Sequence, residues 1–157
     1  GPYSPAYWLG LAFQAPSIAT VLLCDALLRA RFFPTRSGIP SKAIPHRATL
    51  AIALVGVLVG WALLLDAFAL LPLQLYAWGF SSAAAGTVLV VALLPWLVVS
   101  APHPTRSLRL WMVPVAVVVF AASRLPSGNV WDAVLDPWLW LALHVYVFGS
   151  LWRGLRR

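Results

Sequence analysis

Charged side chains are scarce in this chain, and acidic ones are the scarcest. Among 157 residues there are 11 Lys and Arg and only 4 Asp and Glu, while 62% of the residues are apolar. The mean hydropathy is +0.88. Whole segments are apolar on every side, so a water-soluble domain of this length has no means of burying them all. The composition excludes an ordinary soluble protein and predicts helices that face lipid.

The sequence has one cysteine and none of the common catalytic motifs. The single cysteine, Cys24, excludes a disulfide framework or a cysteine-based metal cluster within one chain. The sequence has no glycine-rich phosphate loop, no HExxH and no GxSxG pattern. His46 and His103 lie between the apolar runs, which leaves His144 without a facing histidine for haem ligation. We therefore expect no catalytic residue, no metal and no cofactor.

The net charge of +7 does not indicate a nucleic-acid partner, because the cations occur only between the apolar runs. The first run also differs from a signal peptide: no basic segment precedes it, and it ends in Asp25, Arg29 and Arg31. We expect it to remain in the mature protein. Gly1-Pro2 is the dipeptide that a common cloning protease leaves, and we expect it to be a cleavage remnant.

The apolar runs predict a single all-α transmembrane domain over 1–157, a bundle of about five transmembrane helices. The predicted spans cover about 5–28, 48–70, 82–100, 108–123 and 137–152. The first begins at Ser4-Pro5 and contains Pro16, where we expect a kink; the last begins at Asp136-Pro137. A basic loop over 29–47 and two polar loops over 71–81 and 124–136 connect them.

The positive charges predict the orientation of this bundle. If five spans alternate in direction, ten of the eleven cations fall on one side, and only Arg124 falls on the other. Because cytoplasmic loops of membrane proteins carry the excess of Lys and Arg, we expect the amino terminus outside and the carboxyl terminus in the cytoplasm. The expected location is a cell membrane crossed several times, such as a bacterial inner membrane. The ten cations are Arg29, Arg31, Arg36, Lys42, Arg47, Arg106, Arg109, Arg153, Arg156 and Arg157.

The predicted outer side carries the candidate ligand-binding residues. Asp66, Asp132 and Asp136 share this side with Arg124, which gives it a net charge of −2. Several carboxylates at the mouth of a pathway between helices would suit a cation or a cationic group. The competing interpretation is structural: Asp136 and Asp132 have the positions of helix-capping residues, and Asp66 has Arg124 as a possible partner.

Two further polar features lie in or beside the predicted spans. His144 lies near the middle of the last span, so we weigh a ligand-binding role against a polar contact between helices. Asp25 precedes Arg29 by four residues, the spacing of an ion pair along one helix.

Small residues predict where helices pack closely. Gly56 and Gly60 form a GxxxG pattern, and the run from Ser82 to Gly86 is also made of small residues.

These features favour a non-catalytic subunit or assembly partner of a larger membrane complex, surrounded by lipid and bound to another membrane protein or a second copy. One alternative is a small transporter or ligand-binding bundle with an acidic outer mouth. A further alternative is a lipid-processing enzyme that uses Asp132, Asp136 and His144.

Overall fold

The computed structural model describes residue 4 and residues 15–32, 46–98, 108–123 and 128–156. Within these residues the chain is all-helical, with seven helices and no strand. Five helices have 15 to 22 residues, and two short ones, α3 and α6, have 4 and 5. In chain order they are α1 Ile18–Phe32, α2 His46–Ala67, α3 Leu75–Trp78, α4 Ser82–Val98, α5 Leu108–Ser123, α6 Val130–Val134 and α7 Pro137–Leu155.

Four of the five predicted segments correspond to helices whose ends differ from the prediction by three residues or fewer. The helix α5 has the predicted bounds of 108–123, and α7 begins at Pro137 as the Asp-Pro pair indicates. The short helices α3 and α6 lie within the two predicted polar loops.

The first predicted span is not a continuous helix at residues 15–17. A helix running through a kink at Pro16 was expected, but residues 15–17 are not helical and α1 begins at Ile18. Ser17 is the N-cap: its carbonyl accepts the N–H of Val21, and its Oγ accepts the N–H of Thr20 at 3.1 Å. Pro16 therefore precedes the helix, where its missing N–H costs nothing. The predicted helical residues 5–14 lie outside the described part of the chain.

Among the described residues, one helix is long and apolar enough to cross a membrane. It is the segment Thr49–Ala67 of α2, with 19 residues and a mean hydropathy of 2.3, and only 6% of it is buried inside the protein. Two shorter apolar helical segments are Ser82–Leu94 and Trp111–Ser123. Because so few side chains of α2 are covered by protein, its apolar surface is available to lipid or to another protein.

The five longer helices pack in two groups. The helix α2 packs against α7, whereas α1 and α4 each pack against α5. Ala84 of α4, Val117 of α5 and Val130 of α6 form the buried cluster between the second set of helices. The short helix α6 contacts both α5 and α1, and so joins the two sides of this group.

Glycine allows α2 and α7 to approach closely. A Cβ atom on Gly56 would lie 2.6 Å from Cδ1 of Leu143, and one on Gly60 would overlap the indole of Trp140. The GxxxG pattern therefore faces α7. The run from Ser82 to Gly86, the second predicted packing element, does not pack through its two end residues. A Cβ on Gly86 would meet open space, and Ser82 is exposed. In that run it is Ala84, fully buried, that contacts α5, because helix rotation turns positions 82 and 86 outwards.

Candidate functional site

The polar side chains gather at one end of the bundle, which we call the polar end. It consists of residues 17–20 at the start of α1, the connector 66–81 between α2 and α4, and residues 128–136 between α5 and α7. Hydrogen bonds join all three parts. The helix α2 ends here, while α1, α4 and α7 begin here, so these helices alternate in direction.

Asp136 is a buried carboxylate shared by two helices. Its Oδ1 accepts the N–H of Leu139 at 2.8 Å and so caps α7, the role that the sequence position indicates. Its Oδ2 accepts the backbone N–H of Ser17 at 2.6 Å and the hydroxyl of Thr20. The N-terminal N–H groups of α1 and α7 thus converge on one negative charge, which both helix dipoles favour.

The protonation of Asp136 follows from these contacts. Burial, which leaves 6% of the residue exposed, raises the pKa of its carboxyl, but the hydrogen bonds from Thr20, Leu139 and Ser17 together outweigh burial. The net effect lowers the pKa of Asp136 below its ordinary value. The group is therefore an anion at neutral pH.

Tyr76 forms hydrogen bonds with both of the other acids at this end, Asp66 and Asp132. Its backbone N–H donates to Oδ2 of Asp66 at 2.8 Å, and its hydroxyl donates to Oδ1 of Asp132 at 3.3 Å. Gln74, which precedes α3, makes no side-chain capping bond, so Asp66 supplies the acceptor for the start of that short helix. Burial and the negative charge of Asp132 raise the pKa of the Tyr76 hydroxyl.

Asn129 fastens the connector 66–81 to the start of α6. Its Oδ1 accepts the N–H of Trp131 at 3.0 Å, which makes it the N-cap of α6, and its Nδ2 donates to the carbonyl of Tyr76. The Trp131 indole donates to the carbonyl of Leu75 at 2.8 Å. A Cβ on Gly79 would overlap both Asn129 and Trp131, so this close approach requires glycine. Asn129 is fully buried, and every one of these bonds crosses between the two connectors or caps a helix.

An open groove of about 380 Å³ lies beside this network. Asp66, Pro72, Gln74 and Tyr76 are among the residues that line it. Leu73 and Phe68 nearby are 61% and 69% exposed. The groove is shallow, and its one charged lining residue, Asp66, already accepts a hydrogen bond.

His144 lies between α2 and α7 rather than at the polar end. Its Nδ1 is 2.8 Å from the carbonyl oxygen of Trp140, and its Nε2 is 3.2 Å from Nε1 of Trp61. A ring with its proton on Nδ1 satisfies both contacts, donating to the carbonyl and accepting from the indole. The Trp140 indole also donates to the carbonyl of Val57, so His144 is part of the contact between the helices.

Of the predicted site residues, the three acids lie at the polar end, and His144 lies apart from them. Asp66 and Asp132 meet at Tyr76, Asp136 lies in the cap of α1 and α7, and His144 is two helical turns further along α7. Within the described ranges, no three His, Cys, Asp or Glu side chains are grouped to hold a metal ion. Arg124, the predicted partner of Asp66, lies outside the described residues.

The opposite end, which we call the basic end, carries the described arginines. Arg29 and Arg31 lie at the end of α1, Arg47 at the start of α2, and Arg153 and Arg156 at the end of α7. The predicted ion pair between Asp25 and Arg29 is confirmed, with Oδ2 and Nε 2.8 Å apart.

Sequence reasoning missed Tyr76, Trp61 and Trp140 as organising residues. Each acts through a residue more than fifty positions away, so no local pattern marks it.

Comparison of the chain with protein-family models, with curated proteins and with solved structures finds no match.

Proposed function

We propose that this protein is a multi-pass membrane protein that acts as a non-catalytic subunit or assembly partner of a larger membrane complex. The observation that carries the proposal is the exposure of α2. A 19-residue apolar segment with only 6% of its length buried needs a surrounding of lipid or of another apolar surface.

The placement of polar groups supports a structural role. Asp66, Asp132 and Asp136 all accept hydrogen bonds within the polar end. His144 is hydrogen-bonded between α2 and α7. A catalytic site needs a nucleophile, acid or base that can reach a substrate, with a partner that activates it. The described residues place these groups in capping and packing contacts instead.

The charge separation supports the orientation. Three of the four acids lie at the polar end and all five described arginine side chains lie at the basic end. In this proposal the basic end is cytoplasmic and the alternating helices are the five spans. The single native cysteine makes the test direct: in a C24A background, a cysteine replacing Arg31 should be protected from an impermeant maleimide in intact cells. A cysteine replacing Leu70 should be labelled, and the reverse pattern would contradict the orientation.

Site-specific photocrosslinking tests the subunit role. A photoreactive residue replacing Leu58, which is 65% exposed on α2, should form an adduct with a specific membrane protein in native membranes. The matched control is Ala53, 3% exposed on the same helix, where the reagent should react only within the chain. If position 58 gives lipid adducts alone, and purification in mild detergent gives a monomer without enriched partners, the subunit role is wrong.

The groove beside Asp66 favours a second candidate, a ligand-binding bundle. If the groove binds a ligand through these acids, the double variant D66N/D132N should lose the thermal stabilisation that the ligand gives. Unchanged stabilisation in that variant would remove the acids from binding.

A further inference from the structure

We propose that the basic end of the α2–α7 pair binds the phosphate groups of anionic phospholipids. This inference rests on the membrane location proposed above and adds a specific lipid class to it. Its central residues are Arg47, Arg153 and Arg156.

The register of α2 and α7 brings these arginines to one level. Gly60 of α2 lies against Trp140 of α7, and the two helices run in opposite directions, as the contacts of Gly56 with Leu143 show. Thirteen residues from the Gly60–Trp140 contact towards the basic end lead to Arg47 on α2 and to Arg153 on α7. At a rise of 1.5 Å per residue, both lie about 20 Å from that contact. Two guanidinium groups therefore stand at the same depth on neighbouring helices.

These arginines have no acidic partner among the described residues. Asp25, the one acid at this end, pairs with Arg29, and the other three acids lie at the opposite end of the bundle. Arg47, Arg153 and Arg156 are exposed. Exposed guanidinium groups that have no acidic partner in the described chain are available to bind a negatively charged group from outside it.

The apolar side chains around these arginines identify the source of that anion. Trp152 and Leu155, beside Arg153 and Arg156 in the last turn of α7, are 59% and 84% exposed. The guanidinium carbon of Arg156 lies 4.7 Å from the centroid of the Trp152 ring. A soluble acidic partner would neutralise the arginines but leave these apolar side chains in water. An anionic bilayer surface matches both, because phosphate groups lie directly above the acyl chains.

The type of cation agrees with phosphate as the ligand. The chain has ten arginines and one lysine, so nearly every cation is a guanidinium. A guanidinium binds phosphate through two parallel N–H bonds and also stacks on aromatic rings, as Arg156 does on Trp152.

The test compares two lipids around the full-length protein. The chain is reconstituted in phosphatidylcholine vesicles that contain a small amount of either brominated phosphatidylglycerol or brominated phosphatidylcholine. Quenching of tryptophan fluorescence gives the relative association constant of the two lipids. High salt screens general attraction to the charged surface. The wild type should prefer phosphatidylglycerol over phosphatidylcholine. R47Q/R153Q should lower the ratio of the two association constants about fivefold for each arginine removed, or until the two lipids bind equally. The matched control R29Q/R31Q removes two charges from the same end and should change it less than twofold.

Three results would overturn the inference. Equal quenching by both lipids would show that no anionic lipid is selected, while leaving the membrane location intact. Equal losses in the two double variants would show that charge alone is responsible. Displacement of the brominated lipid by inorganic phosphate would assign the site to a soluble anion. Absence of quenching by either lipid would instead contradict the membrane location itself.

Discussion

The sharpest prediction concerns Asp136, because one carboxylate holds the starts of two helices. In D136A, α7 loses its N-cap, at a cost of about 1 kcal/mol. The Ser17 N–H also loses its acceptor in a buried site, which costs about 1–3 kcal/mol more. The Thr20 hydroxyl can turn towards Ser17 Oγ, 3.0 Å away, and so adds little. We expect D136A to lower the free energy of unfolding by about 3 kcal/mol, a large share of the usual 5–15 kcal/mol.

The D136N variant separates the two caps. An asparagine has one oxygen and one NH₂ group, so it can accept from Leu139 or from Ser17 but presents a donor to the other. We expect about half of the D136A effect. The free energy of unfolding would be measured by denaturant titration in mild detergent micelles, with tryptophan fluorescence as the signal. D25N is the control, since its ion pair with Arg29 is exposed and should be worth no more than about 0.5 kcal/mol.

The pH dependence provides a second measurement on the same residue. The folded-state pKa of Asp136 is lowered, so the stabilisation is complete above the ordinary value of 3.8 and is lost as the pH falls from there through the folded pKa. Wild type should therefore lose stability on acidification below about pH 4, and D136N should lose less. A D136N protein with wild-type stability at neutral pH, or with the same acid sensitivity, would refute the shared-cap argument.

Three other substitutions test separate contacts by the same unfolding measurement. G60A forces a methyl group into the indole of Trp140 and should lower the free energy of unfolding by about 1–3 kcal/mol. G86A faces open space and should be neutral or slightly stabilising. Equal effects of the two substitutions would contradict the packing of α2 on α7. N129A removes a buried cap and a bond between the connectors and should cost about 2–3 kcal/mol, so a change below 0.5 kcal/mol, about the surface-substitution level, would be a failure. W61F removes the donor to His144 and should cost about 1 kcal/mol, with H144F giving little further loss in that background.

The helices were largely predictable because their signals are local. Apolar runs bounded by proline, glycine and charge give α5 its bounds, and Asp136-Pro137 marks the start of α7. The ion pair on α1 follows from the spacing of Asp25 and Arg29.

The start of α1 and the polar contacts were not predictable because their causes are distant in sequence. The backbone N–H of Ser17, the N-cap of α1, donates to Asp136, a residue 119 positions later. The proline at position 16 is compatible with either a kink within a helix or a position just before its first turn. His144 finds Trp61 at a separation of 83 residues, and with nine tryptophans in the chain no pattern selects that one. The sequence places the three acids on one side of the bundle, but only the structure shows that Asp66 and Asp132 both bind Tyr76 while Asp136 caps α1 and α7.

The shared cap at Asp136 also has a consequence for biosynthesis. A ribosome makes α1 first and α7 last, so Ser17 leaves the exit tunnel 119 residues before its acceptor Asp136 does. Until α7 arrives, the Ser17 N–H has only water or a lipid headgroup to bond with. Completion of the first helix thus waits for translation of the last. A nascent chain truncated before position 136 should show proteolytic cleavage near Ser17 that the full-length chain resists.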